Sequence, residues 1–125
     1  MPTIADYMVI TDPSFELFAG QSQHFGSLPM PHDLVPGTAK AKAILAYKAW
    51  PSTNTPFSPT ADVTIRVNGH NLGTFEIKLD TVRGLWETFP ATILNADSAA
   101  NFIEFECEIG RIRISGVILW FQRQI

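Results

Sequence analysis

Strict alternation of apolar and polar residues is the feature that most limits what this chain can fold into. Val63, Ile65 and Val67 alternate with Asp62, Thr64 and Arg66, the pattern of a strand with one dry and one wet face. Asn68-Gly69 follows, a pair that accepts the positive φ values of a tight hairpin turn. On the return Leu72 is even-numbered, whereas Phe75, Ile77 and Leu79 are odd. The inward face therefore changes parity at Gly73, as a β-bulge would require.

The same period recurs downstream. Ile103, Phe105 and Cys107 alternate with Glu104, Glu106 and Glu108, and Ile112 and Ile114 alternate with Arg111, Arg113 and Ser115. Residues 117–121 are apolar on both faces, which predicts a terminal strand buried on both sides or forming an interface. A two-residue turn at Ile109-Gly110 would pair Glu108 with Arg111 and Glu106 with Arg113, each contributing about 0.2–1 kcal/mol. Ile109 disfavours a positive φ, so a looser turn or a crossover to a second sheet stays open. Residues 86–94 predict a strand that Pro90 confines to an edge or an irregularity. Residues 15–18 and 21–25 are shorter strand candidates.

Residues 38–50 (TAKAKAILAYKAW) carry two signals. Ala and Lys favour helix, but Ala39, Ala41, Ala43, Leu45, Tyr47 and Ala49 share one alternating face and Lys40, Lys42 and Lys48 the other. A strand is expected, because every later segment reads as strand. About eight antiparallel strands joined by turns predict an all-β, two-sheet sandwich or jelly roll, with residues 1–125 as a single β-sandwich domain.

Composition removes several classes of function. One cysteine among 125 residues builds neither a disulfide scaffold nor a zinc site, and Cys107 is expected as an inert core thiol. The longest apolar runs are five residues, against the roughly 20 of a membrane helix. A net charge of −3 with no basic cluster argues against nucleic acid and anionic membrane partners. Residues 1–39 hold four acids and no Lys or Arg, and no secretory pattern is visible; the expectation is a chain made in the cytoplasm.

Val63 to Gly69 (VTIRVNG), Leu72 to Thr74, Trp86 to Thr88, Asn101 to Phe105 (NFIEF) and Ile112 to Phe121 (IRISGVILWF) together resemble the galactose-binding-domain-like jelly rolls. That group includes many non-catalytic carbohydrate-binding modules. The likeness spans roughly residues 38 to 123 and implies a β-sandwich fold. It brings no ligand-contact motif that matches residue by residue, and the acidic residues that hold calcium in some of these modules have no clear counterpart.

No GxSxG, HExxH or phosphate-binding glycine loop is present. The three histidines, His24, His32 and His70, are far apart. Glu104, Glu106 and Glu108 share a strand face, but arginines facing them would oppose the raised pKa a glycosidase acid needs. The chain is therefore read as non-enzymatic, with no catalytic residue, metal site or cofactor. Antiparallel order gathers Trp50, Asn54, Phe57, Asp80, Arg83 and Trp86 at one end of the sandwich. Aromatic faces beside polar groups suit a sugar, so Trp50, Asn54, Asp80, Arg83 and Trp86 are the candidate ligand-binding residues of a lectin-like module. The other end carries His32, Asp33, Asn68, His70, Asn71, Asn95, Asp97 and Asn101, which suit turns or a calcium ion. The alternative function is a structural or assembly subunit, with a homo-oligomer or another protein as partner.

Overall fold

The computed structural model describes residues 3–35, 42–51, 60–78 and 83–124. Among these, nine strands form two antiparallel sheets. They are β1 (Thr3–Thr11), β2 (Phe15–Phe18), β3 (Ser22–Phe25), β4 (Lys42–Pro51), β5 (Thr60–Val67), β6 (His70–Lys78), β7 (Arg83–Pro90), β8 (Ile103–Ile109) and β9 (Arg111–Gln124). One sheet runs β1-β9-β4-β7, with β2 also paired to β9; the other runs β3-β8-β5-β6. The all-β sandwich expected from the alternation is the observed architecture, with one strand more than anticipated. The addition is β1, in which Met8 and Ile10 pack against the core while Tyr7 and Val9 are exposed. Both of its faces carry apolar residues, so no wet face marks it in the sequence.

Residues 42–51 are strand, as expected, with Ala43, Leu45, Tyr47 and Ala49 buried. Tertiary burial of one alternating face outweighs the helix propensity of Ala and Lys. Asn68 and Gly69 turn at φ 50° and 80°. The ladder then slips between Ile65, opposite Gly73, and Arg66, opposite Asn71, leaving Leu72 as the extra residue; this is the bulge the parity change required. β7 is an edge strand that ends at Pro90 and runs into a single 3-10 turn, Ala91–Ile93.

The Ile109-Gly110 hairpin does not form. β8 pairs with β3 and β5, whereas β9 pairs with β1, β2 and β4, so the chain crosses from one sheet to the other at Gly110. The expected Glu108–Arg111 and Glu106–Arg113 pairs are replaced. Arg66 bonds Glu104 at 2.8 Å and Glu106 at 3.1 Å, while Arg111 and Arg113 both bond Glu16. The reason is geometric. Phe105 and Cys107 of one sheet and Ile112 and Ile114 of the other are all buried in the interior, so the charged residues that alternate with them lie on opposite outer surfaces.

Phe105, fully buried, centres the interior and makes edge-on contacts with Phe15, Phe25 and Tyr47, the nearest centroids at 5.8 Å. Such pairs add about 0.5–1.5 kcal/mol each beyond the area they bury. Cys107 is buried, and burial pushes its thiol pKa up. Residues 117–121 depart from the expectation of burial on both sides. A second bulge at Gly116, φ 60°, resets parity so that Val117, Leu119 and Phe121 point inward and Ile118 and Trp120 outward.

Candidate functional site

β-sheet register brings the outward side chains of four strands into two rows on the outer face of the larger sheet. Tyr7 of β1 lies opposite Trp120 of β9, which lies opposite Ile44 of β4, which lies opposite Thr88 of β7. In the next row Val9, Ile118, Ala46 and Trp86 follow one another in the same order. A solvent-facing sheet surface is ordinarily polar. Here Trp86 is 71% exposed, Tyr7 55% and Trp120 39%. The Tyr7 and Trp120 rings pack with centroids 4.9 Å apart, which holds both ring planes in place. Trp86 and Trp120 lie on either side of β4, roughly 10 Å apart across the strands and 7 Å along them.

Beside Trp120 is a shallow, open depression of about 240 Å³, lined by Ala5, Lys42, Ile44, Trp120, Phe121 and Gln122. Its volume is below that of sites for drug-sized ligands, and its floor is apolar. Lys42 and Gln122 stand exposed at its rim.

Of the five residues singled out from sequence, the structure describes the side chains of Trp50 and Trp86. Trp86 is on the outer face, opposite Ala46 and three residues into β7. Trp50 is half-buried on the same face, opposite Arg113, four residues further along β4. Arg83 opens β7 opposite Ala49, and its side chain is outside what the structure describes. Asn54 and Asp80 lie outside the described residues. Sequence reasoning missed Trp120, Tyr7 and Ile44. The available signal was that the nominally wet positions of β1, β4 and β9 are themselves apolar.

The other end of the sandwich does gather Asn68, Asn95 and Asn101, and their polar groups bond one another. Asn101, 2% exposed, accepts through Oδ1 from Asn68 Nδ2 at 2.9 Å and from the Asn95 amide at 2.8 Å. Its Nδ2 donates to the carbonyls of Leu28, Asn95 and Ser98 at 3.0–3.1 Å. Asn68 Oδ1 accepts from the Phe102 amide at 2.8 Å. These groups tie three loops together. Among the described residues no cluster of three or more His, Cys, Asp or Glu side chains is arranged to hold a metal ion.

Glu87, on β7, alternates away from the outer face and accepts a 3.1 Å hydrogen bond from the buried Tyr47 hydroxyl. Burial raises its pKa above the ordinary carboxylate range, with the Tyr47 bond opposing the rise. Burial, and then the Glu87 charge, push the Tyr47 hydroxyl far up. A carboxylate with a raised pKa holds more protons when folded than unfolded, so this group lowers stability as pH climbs above about 4.3. Glu87→Gln keeps an acceptor for Tyr47 and removes the charge. Its stability relative to the wild type should rise between pH 4 and 7, as checked by urea melts across that range; a flat difference would contradict the assignment.

No protein-family model and no curated protein matches this chain. Solved structures do. The C-terminal CBM6 carbohydrate-binding module of LamC, a marine laminarinase from Zobellia galactanivorans, is 8% identical with a TM-score of 0.58, covering 94% of this chain and 99% of that one. The CBM22-1 xylan-binding domain of Paenibacillus barcinonensis Xyn10C is 8% identical with a TM-score of 0.53, covering 97% and 83%. Dimeric latent PorU from Porphyromonas gingivalis is 9% identical with a TM-score of 0.59, covering 99% of this chain and 13% of that one. The resemblance read from the sequence thus holds at the level of fold: the chain is a two-sheet jelly-roll β-sandwich, the fold that these modules have.

Proposed function

We propose that this chain is a non-catalytic carbohydrate-binding module that holds a glycan on the outer face of the larger sheet. The observation that carries the reading is the exposed aromatic surface of Trp86, Trp120 and Tyr7 on one sheet face. A pyranose presents an apolar ring face that stacks on such a side chain, while its hydroxyls need polar partners at the rim. Lys42, Lys48, Thr88 and Gln122 are exposed around the rings. The xylan-binding and LamC modules share the fold, which agrees with this reading. Of the residues first singled out, Trp86 belongs to the proposed site and Trp50 extends it along β4.

The test is titration with a glycan library, followed by tryptophan fluorescence on Trp86→Ala. Because Trp86 is mostly exposed, its loss should change stability by no more than about 0.5 kcal/mol. Binding should weaken by about 2 kcal/mol, roughly thirtyfold in Kd. Unaltered glycan binding in the variant would overturn the site, and silence across the library would overturn the function. The second reading, assembly with another copy through this face, is favoured by Val9, Ile44 and Ile118 lying between the rings. It requires a dimer in light scattering that Trp86→Ala dissociates.

A further inference from the structure

We infer that the ligand of this face is a negatively charged glycan, one that carries carboxylate or sulfate groups; this rests on the reading of the face as a glycan platform. β4 presents Lys42 and Lys48 outward on either side of Ile44 and Ala46, and both are exposed. Among the described residues neither ammonium has a carboxylate partner. The carboxylates of the neighbouring strands are committed elsewhere. Glu16 bonds Arg111 and Arg113, Asp6 bonds Arg123, and Glu87 accepts from Tyr47.

The charges of the described residues are therefore divided unequally between two surfaces. On the opposite sheet Asp62, Glu76, Glu104, Glu106 and Glu108 alternate outward, and Arg66 bonds two of them. Packed sheets stand about 10 Å apart, before the outward side chains are added, and charges are screened over about 8 Å at physiological salt. The acidic surface thus leaves the field over the lysines largely intact. A polyanion is drawn to one face and repelled from the other.

The depression beside Trp120 shows how a single unit would be held. A sugar ring lying on the indole places a carboxylate or sulfate within reach of the Lys42 ammonium, and the Gln122 amide offers both a donor and an acceptor to hydroxyls. Lys42 and Lys48 are about 20 Å apart along an extended strand, a span that suits successive charged units of one chain.

The experiment uses two matched pairs of oligosaccharides: oligogalacturonate against its methyl ester, and a sulfated galactan oligomer against its desulfated form. Isothermal titration at 20 mM and 300 mM salt should give at least tenfold tighter binding of a charged member at low salt, with the gap closing at high salt. The pair that shows the gap identifies carboxylate or sulfate as the source of the charge. Lys42→Gln/Lys48→Gln should erase the preference, and Trp86→Ala should weaken both members of the pair. Equal, salt-independent affinity for charged and neutral members would overturn the inference while leaving the glycan platform standing. Absence of binding to all four and to a neutral glycan library would remove the platform, and the inference with it.

Discussion

Asn101→Ala should cost about 3–5 kcal/mol and lower the thermal midpoint by roughly 12–20 °C, although it removes a side chain with little apolar surface. The loss comes from the groups left behind. Truncation strands the carbonyls of Leu28 and Asn95, the Asn95 amide and one Asn68 donor, and removes one of the two donors to the Ser98 carbonyl, which keeps the Met30 amide. Asn101 is buried, so water reaches these groups poorly, and each unmet group costs about 1–3 kcal/mol before relaxation. Asn101→Asp is the informative companion. It keeps the acceptor for Asn68 and Asn95 but turns an oxygen towards three carbonyls, so its deficit should deepen as pH rises and the new carboxyl ionises. A loss below about 1 kcal/mol in the alanine variant, measured by chemical denaturation, would mean that the three loops are not held by this residue.

Gly110→Ala should destabilise by on the order of 3 kcal/mol, whereas Gly69→Ala should cost only about 1 kcal/mol. The two glycines share φ of 80° and differ in surroundings. At Gly69 an added Cβ meets nothing within 4 Å, so only the dihedral strain of a left-handed residue is felt. At Gly110 the Cβ would fall 2.6 Å from the Thr60 carbonyl oxygen and 3.3 Å from Ala61 Cα, backbone atoms at the start of β5. That is where the chain leaves one sheet for the other. The backbone must shift at a point shared by both sheets, and the difference between the two variants isolates that steric cost. Equal losses at both positions would show that the crossover accommodates a Cβ at Gly110 without a backbone shift.

The strand in residues 42–51, the Asn68-Gly69 turn, the Leu72-Gly73 bulge and the edge position of β7 were legible in the residues themselves. Each depends on a local rule: the side-chain period, the φ that a residue tolerates, or the missing amide of proline. The candidate site was less legible. Trp86 stands out in the sequence, but the order of loops points it to a loop end, whereas the register of strands puts it on the outer sheet face. Trp120 and Tyr7 were overlooked because each looks like an ordinary apolar strand residue until its neighbours across the ladder are known. Only pairing places Tyr7, 113 positions away in the chain, against Trp120.

The sequence alone determined which side of β4, β5, β6, β8 and the first part of β9 is dry, since period two depends only on successive residues. Its apolar content and lack of cross-linking cysteines further determined that the chain must bury those sides in a sandwich core. Tertiary structure alone decided who pairs with whom. Glu106 and Arg113 satisfy a hairpin on paper, yet they end on opposite outer faces, Glu106 with Arg66 and Arg113 with Glu16. Burying Phe105 against Tyr47 and Phe15 across the interior satisfies the same alternation and closes the core. Cross-strand charge pairs contribute at most about 1 kcal/mol each, whereas burying a large apolar side chain contributes about 1.5–3 kcal/mol. The core therefore sets the pairing, and the pairing sets which aromatic rings share the outer face.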